Sequence, residues 1–110
     1  MRIIVEVRVS APVERVFAAA TDIPCWPETI EAITRVEMLT EGPVAVGTRF
    51  REARTMFGRE ETEEMTVQEL TPPERFVLTA ENHGTRYRAV HTFVAEGSGT
   101  RLKLAFEGCR

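Results

Sequence analysis

The sequence predicts an α+β fold, with one strand, two short helices and then six strands in an antiparallel meander (β-α-α-β6). Three observations carry this expectation. After residue 34 most of the chain alternates apolar and polar residues with a period of two, as half-buried strands do. Helical spacing is confined to the first third, where Val13, Val16, Phe17 and Ala20 form one apolar stripe. Short turn sequences containing Gly, Pro or Asn separate the strand segments, so consecutive strands pair as hairpins.

The elements follow in order. Ile3, Val5, Val7 and Val9 alternate with Arg2, Glu6 and Arg8, a strand with one apolar face. Ser10-Ala11-Pro12 ends it, with Ser10 as the expected N-cap of the first helix and Pro12 in the first turn, where its missing N–H costs nothing. Thr21-Asp22 is expected to cap a second short helix, kept irregular by Pro24 and Pro27. Trp26 lies between these prolines, with Ile30 and Ile33 as its apolar companions. Strands are then expected over 35–40, 47–55, 60–70, 75–81, 85–95 and 100–107. Glu41-Gly42-Pro43, Phe57-Gly58, Thr71-Pro72-Pro73, Asn82-His83-Gly84 and Glu96-Gly97-Ser98-Gly99 interrupt them, with His83 exposed in its turn. One sheet face collects Ile3, Val5, Val7 and Val9, then Met65 and Val67, and then Phe76, Leu78 and Ala80. Tyr87, Ala89, His91, Phe93, Leu102, Leu104 and Phe106 continue it. Arg8, Arg88, Thr92, Arg101 and Lys103 mark the wet face, with Val90 and Val94 as apolar exceptions.

Length and charge bound the function. With 110 residues, a single domain over 1–110 is expected. A net charge of −3 argues against a nucleic-acid partner, which needs clustered basic surface. No apolar run is long enough to span a membrane, and residues 1–9 do not read as a signal peptide. Cys25 and Cys109 form no metal-type spacing, so a reduced, cytoplasmic setting is expected, with Cys109 a surface thiol. Thirteen of the fourteen basic residues are Arg. Charge runs such as Arg59-Glu60-Glu61 read as solvated strand faces. Phosphate-binding glycine loops, zinc spacings and a GxSxG elbow are all missing from the sequence, so neither a metal nor a cofactor is expected.

Several segments carry a family resemblance. Ser10-Ala11-Pro12-Val13-Glu14-Arg15-Val16-Phe17 resembles the "APxxxVF" opening of a first helix, and 21–27 the "tDxxxWPxw" second helix. Gly47-Thr48-Arg49-Phe50 resembles a "vGtrfr" strand, 67–75 a "vtexxPPxRf" strand and turn, and 92–102 a closing "tFexxgxGTrl" hairpin. Together these resemble the helix-grip superfamily of START, birch-allergen and polyketide-cyclase/dehydrase domains (SRPBCC). The resemblance covers nearly the whole chain. It implies a curved antiparallel sheet and an elongated cavity for an apolar ligand. Members of that superfamily usually end in a long helix that packs into the concave sheet; here Arg110 follows the last strand, so the domain reads as truncated at its C-terminus, as naturally short, or as covered by something else. The exposed apolar face is therefore expected to be covered by a second copy of the chain or another partner.

The resemblance implies a cavity lined by Trp26, Phe50, Glu52, Arg54, Met65, Leu78, Phe93 and Leu104. Trp26 alternatively plugs the second helix against the sheet. Tyr87 and His91 lie four apart on one strand and face the same way, so His91 is a possible general acid or base and Tyr87 a possible polariser of a ligand carbonyl. A core-rim histidine and an amphipathic tyrosine are the plainer readings of the same residues. Glu52 and Arg54 either pair as an ordinary strand ion pair or hold a polar ligand group. The expected function is binding of a lipid, polyketide or quinone on the concave sheet face, with lipid transport among the implied roles. The alternatives are a cofactor-independent cyclase or dehydratase using His91 and Tyr87, and a protein-interaction module.

Overall fold

The computed structural model describes residues 2–82 and 84–109, with the side chains of Met56, Asn82 and Cys109 excepted. The readings of His83 as an exposed turn residue and of Cys109 as a surface thiol fall outside the described residues. The chain runs β1 (Arg2–Val9), α1 (Val13–Thr21), a 3-10 turn (Ile23–Cys25), α2 (Trp26–Thr29), β2 (Ile33–Met38), β3 (Arg49–Met56), β4 (Arg59–Thr71), β5 (Arg75–Asn82), β6 (Thr85–Glu96) and β7 (Gly99–Cys109). The strands form one sheet in the order β1-β7-β6-β5-β4-β3-β2, antiparallel throughout. The meander is thus as the alternation requires, and β1 closes it by pairing with the last strand.

The α1 cap differs from expectation. Pro12, extended at φ −61° and ψ 149°, is the N-cap residue, and no side chain caps the helix. The Pro12 carbonyl accepts from the Arg15 and Val16 amides at 3.0 Å, while Ser10 lies two residues farther out. Thr21 does not cap the next element either; its hydroxyl donates back to the Phe17 carbonyl at 2.9 Å. Pro24 and Pro27 occupy the first turns of the 3-10 segment and of α2, where the lost N–H is harmless.

Strand ends are set by local chemistry. β3 starts at Arg49 rather than residue 47, because Gly47 adopts φ +94°, which glycine tolerates and other residues avoid. The Thr48 hydroxyl accepts from the Ala45 amide at 2.9 Å, and the Thr48 carbonyl accepts from the Val67 amide at 2.8 Å. β2 starts earlier than expected, at Ile33, because a register shift between Ile33 and Arg35 lets the strand bend over α2 and still pair with β3. Gly99 sits where β7 passes β1, and a Cβ there would lie 2.9 Å from the Val9 carbonyl oxygen. The neighbouring Thr100 is fully buried and donates to the Ala11 carbonyl at 2.8 Å, tying β7 to the start of α1.

The two helices pack on the inner face, α1 against β6 and β7 and α2 against β2. Phe17 of α1 meets Phe93 edge-on at 5.1 Å, and Trp26 meets Phe50 edge-on at 5.5 Å. With Ile23, Ile33, Val67 and Phe76 these rings form the main core. Val90, expected as an exposed exception, is instead buried with Val77 and Ala105 in a second cluster on the outer face. Ile3, Val5 and Val7 do share the inner face with Phe106, Leu104 and Leu102 through the β1–β7 register. They nonetheless stay about half exposed, at 51, 50 and 48%.

Candidate functional site

A cavity of about 550 Å³ opens on the inner face between the helices and the sheet. Ala19, Ala20, Trp26 and Ile30 border it from the helical side. Met65, Leu78, Ala89, Leu102, Leu104 and Phe106 pave it from β4 to β7. Its polar side chains are Thr29, Glu52, Arg54 and His91. A larger depression of about 800 Å³ lies among charged residues such as Glu64, Arg86, Arg88 and Glu107. Its charged lining suits ions and water better than an apolar molecule, so the smaller cavity is the candidate site.

Trp26, Glu52, Arg54, Met65, Leu78 and Leu104 all line the cavity. Phe50 and Phe93 do not; they are buried under Trp26 and Phe17 as core. Trp26 both borders the cavity and docks the helical segment, as its indole N–H donates to the Ala20 carbonyl at 3.1 Å. The alternation that puts Phe50 and Phe93 on the inner face cannot say which stretch of that face the helices cover. Ala19, Ala20, Thr29 and Ile30 are lining residues that strand periodicity could not reveal, because they come from the helices.

His91 lines the cavity, and its Nδ1–H donates to the Phe76 carbonyl at 3.1 Å while its ring tilts over the Phe76 ring at 5.2 Å. Burial holds its pKa below the usual imidazole value, against the opposing pull of the Phe76 and Ala89 carbonyls. The ring is therefore neutral at pH 7, oriented by a backbone carbonyl rather than a carboxylate. Tyr87 points to the same face but is set apart. It packs against Phe106 with ring centroids 6.1 Å apart and does not border the cavity. Four residues along a strand span about 13 Å, so Tyr87 and His91 do not converge on one ligand atom.

At the β3 side of the cavity Glu52 is 2% exposed and accepts from Arg54 Nη2 at 3.0 Å through Oε1. Glu63 of β4 stands opposite Glu52 in the register. Burial, then the Glu52 charge, push the Glu63 carboxyl above its ordinary range, with Arg54 opposing. The Cys25 thiol is also pushed up, first by its hydrogen bond with Asp22, so it is not a primed nucleophile. Among the described residues no cluster of His, Cys, Asp and Glu could hold a metal ion, and no helix is long and apolar enough to cross a membrane.

Residues 2–108 match the family described as "polyketide cyclase / dehydrase and lipid transport". The chain belongs to that family. Solved structures share the fold. The Zhui aromatase/cyclase from Streptomyces sp. R1128 superposes with a TM-score of 0.86 at 17% identity, over 99% of this chain and 67% of that one. A START superfamily protein from Mycobacterium smegmatis gives 0.83 at 14% identity, over 98% and 76%. The ginseng major latex-like protein 151 from Panax ginseng gives 0.86 at only 8% identity, over 98% and 78%. None of the curated proteins matches this chain. The chain therefore has the START-like helix-grip fold, in which sequence identity is low and backbone path is shared.

Proposed function

We propose that this chain binds a small, largely apolar molecule of lipid, polyketide or quinone type in the inner-face cavity, in a reduced, cytoplasmic setting. The observation that carries the reading is the lining: apolar side chains from four strands and a helix, with a few polar groups at defined places. The family description, which joins cyclase/dehydrase chemistry with lipid transport, supports it. Native mass spectrometry of protein purified from its own host tests it, with a co-purified small molecule as the expected result. Leu104→Trp, which projects an indole into the cavity, should weaken that adduct and the binding of Nile red. Binding unaffected by Leu104→Trp would refute the reading.

A second reading, a cofactor-independent cyclase or dehydratase, is favoured by one observation: the His91 imidazole on the cavity wall, held by the Phe76 carbonyl through Nδ1. On any substrate the wild type turns over, His91→Ala should lose about 10²- to 10⁴-fold in kcat, the range of a general acid or base. Unchanged turnover excludes the enzyme reading. We further propose that a second copy covers the half-exposed Ile3, Val5 and Val7 of β1, since so many adjacent apolar side chains on an edge strand invite association. Light scattering at micromolar concentration should give a dimer mass; a monomer mass rules the dimer out.

A further inference from the structure

Phe57 stands apart among the exposed apolar side chains. It is 99% exposed, while the next of the described residues, Val46, is 64% exposed. Its backbone is unusual as well. Met56 pairs with Arg59, so Phe57 and Gly58 alone connect β3 to β4, with φ +50° and +76°. A hairpin turn with positive φ at both central residues favours Asn, Asp or Gly at the first of them and disfavours a bulky side chain. One residue is thus unfavourable in two independent ways, as a solvated aromatic ring and as a left-handed backbone. Scattered exposed aliphatic side chains need no explanation, but folding alone does not account for this one.

The turn lies at one end of the cavity. Arg54, three residues before Phe57 and about 10 Å back along β3, is part of the cavity wall. The Thr55 amide donates to the Ala32 carbonyl at 3.1 Å, which holds the chain after α2 beside this hairpin. There Ile30 borders the cavity and is itself 40% exposed. A solvated ring and an apolar stretch of cavity rim therefore share one end of the molecule.

Charge narrows what these groups meet. Arg54 is held by Glu52 at 3.0 Å and Arg35 by Glu60 at 3.3 Å, and Glu61 faces Arg54 across the ladder. That leaves no cationic patch around the turn to attract anionic lipid or an acidic protein. The cavity contents point to a neutral apolar phase: an apolar ligand that leaves the cavity needs another apolar phase to enter, and a phospholipid bilayer is one. A single aromatic ring gives less membrane affinity than one acyl chain, which by itself binds only marginally and reversibly. The contact is therefore brief and is not an anchor.

Building on the cavity reading above, we propose that the β3–β4 turn is a transient membrane-contact element. Phe57 enters the interface of a neutral phospholipid bilayer and sets the Ile30 rim of the cavity against it, so that the ligand passes between cavity and bilayer without crossing water.

Trp26, the sole tryptophan, borders the cavity, so bound Nile red should quench it and its recovery should follow the departure of the dye. The test mixes Nile red-loaded protein with phosphatidylcholine vesicles in a stopped-flow instrument. The wild-type transfer rate should rise about ten-fold when vesicle concentration is raised about ten-fold, as a bimolecular step does. Raising NaCl from about 0.1 to about 0.5 M should change it less than about two-fold, since the contact is apolar. Phe57→Asn should bind Nile red as tightly as wild type, because Phe57 does not line the cavity. Its urea midpoint should match or exceed that of wild type, because Asn suits the turn. Its transfer should be slower and vary less than about two-fold over the same vesicle range. A wild-type rate independent of vesicle concentration overturns the membrane contact, leaves Phe57 to a protein partner and leaves the cavity reading standing. So does a vesicle-dependent rate that survives Phe57→Asn or collapses in salt, except that these leave the membrane to another part of the surface. Failure of wild type to bind Nile red at all overturns both readings.

Discussion

At the scale of the residue, side chains on the same sheet face do different work according to their place along the strand. Phe93→Ala should cost about 3–5 kcal/mol in chemical denaturation, because it empties a packed site under Phe17. Leu104→Ala borders an open cavity and should cost less than half of that, while weakening ligand binding more than Phe93→Ala does. Strand alternation makes both residues inward-facing and cannot separate them, since only the helix positions decide which is covered. His91 brings a pH dependence whose sign follows from burial. Its folded pKa lies below the ordinary 6.5, so the unfolded chain takes up the proton first. Its contribution to stability is complete above 6.5 and is lost as the pH falls toward the folded pKa. Urea midpoints measured from pH 7.5 downward should therefore fall more steeply for wild type than for His91→Gln. Glu63 behaves oppositely: its raised pKa means that ionisation opposes folding. Glu63→Gln should be more stable than wild type at pH 7, and that gain should vanish below the ordinary carboxyl value of 4.5. Neither sign was legible in the sequence, because burial of a given strand position depends on what packs over it.

At the scale of the element, the strands were readable and their ends less so. Period-two alternation located the strands to within two residues at each end. β2 proved harder, because a bulge between Ile33 and Arg35 breaks the alternation where the strand bends over α2. A second shift between Val67 and Glu69 in β4 likewise leaves no mark in composition. Helix starts were misjudged for a related reason. Ser10 has the right chemistry for a cap, but the extended Pro12 already supplies the helix-starting carbonyl. The turn motifs, in contrast, carry direct structural meaning. Gly99 admits the close passage of Val9, and Gly99→Ala should destabilise the fold by about 1–3 kcal/mol through overpacking against backbone. Hydrogen exchange should show the loss concentrated in the β1–β7 ladder.

At the scale of the whole molecule, the topology was legible because short turns leave consecutive strands little choice but to pair. The cavity was not, since it is a property of how far the helices sit from the sheet. Saturating ligand should raise stability by about 2.7 kcal/mol at one hundred times its Kd, visible as a higher Tm in differential scanning fluorimetry. One topological fact has a further consequence in time. β1 is the first strand in the chain and pairs only with β7, the last, with Arg2 opposite Glu107. During synthesis on the ribosome its Ile3, Ile4, Val5 and Val7 must wait for residues 99–109 before any ladder can form. Closure of that long loop comes late and is entropically slow. Through that interval the nascent chain presents an unpaired apolar β-strand, the segment that a chaperone would have most to protect.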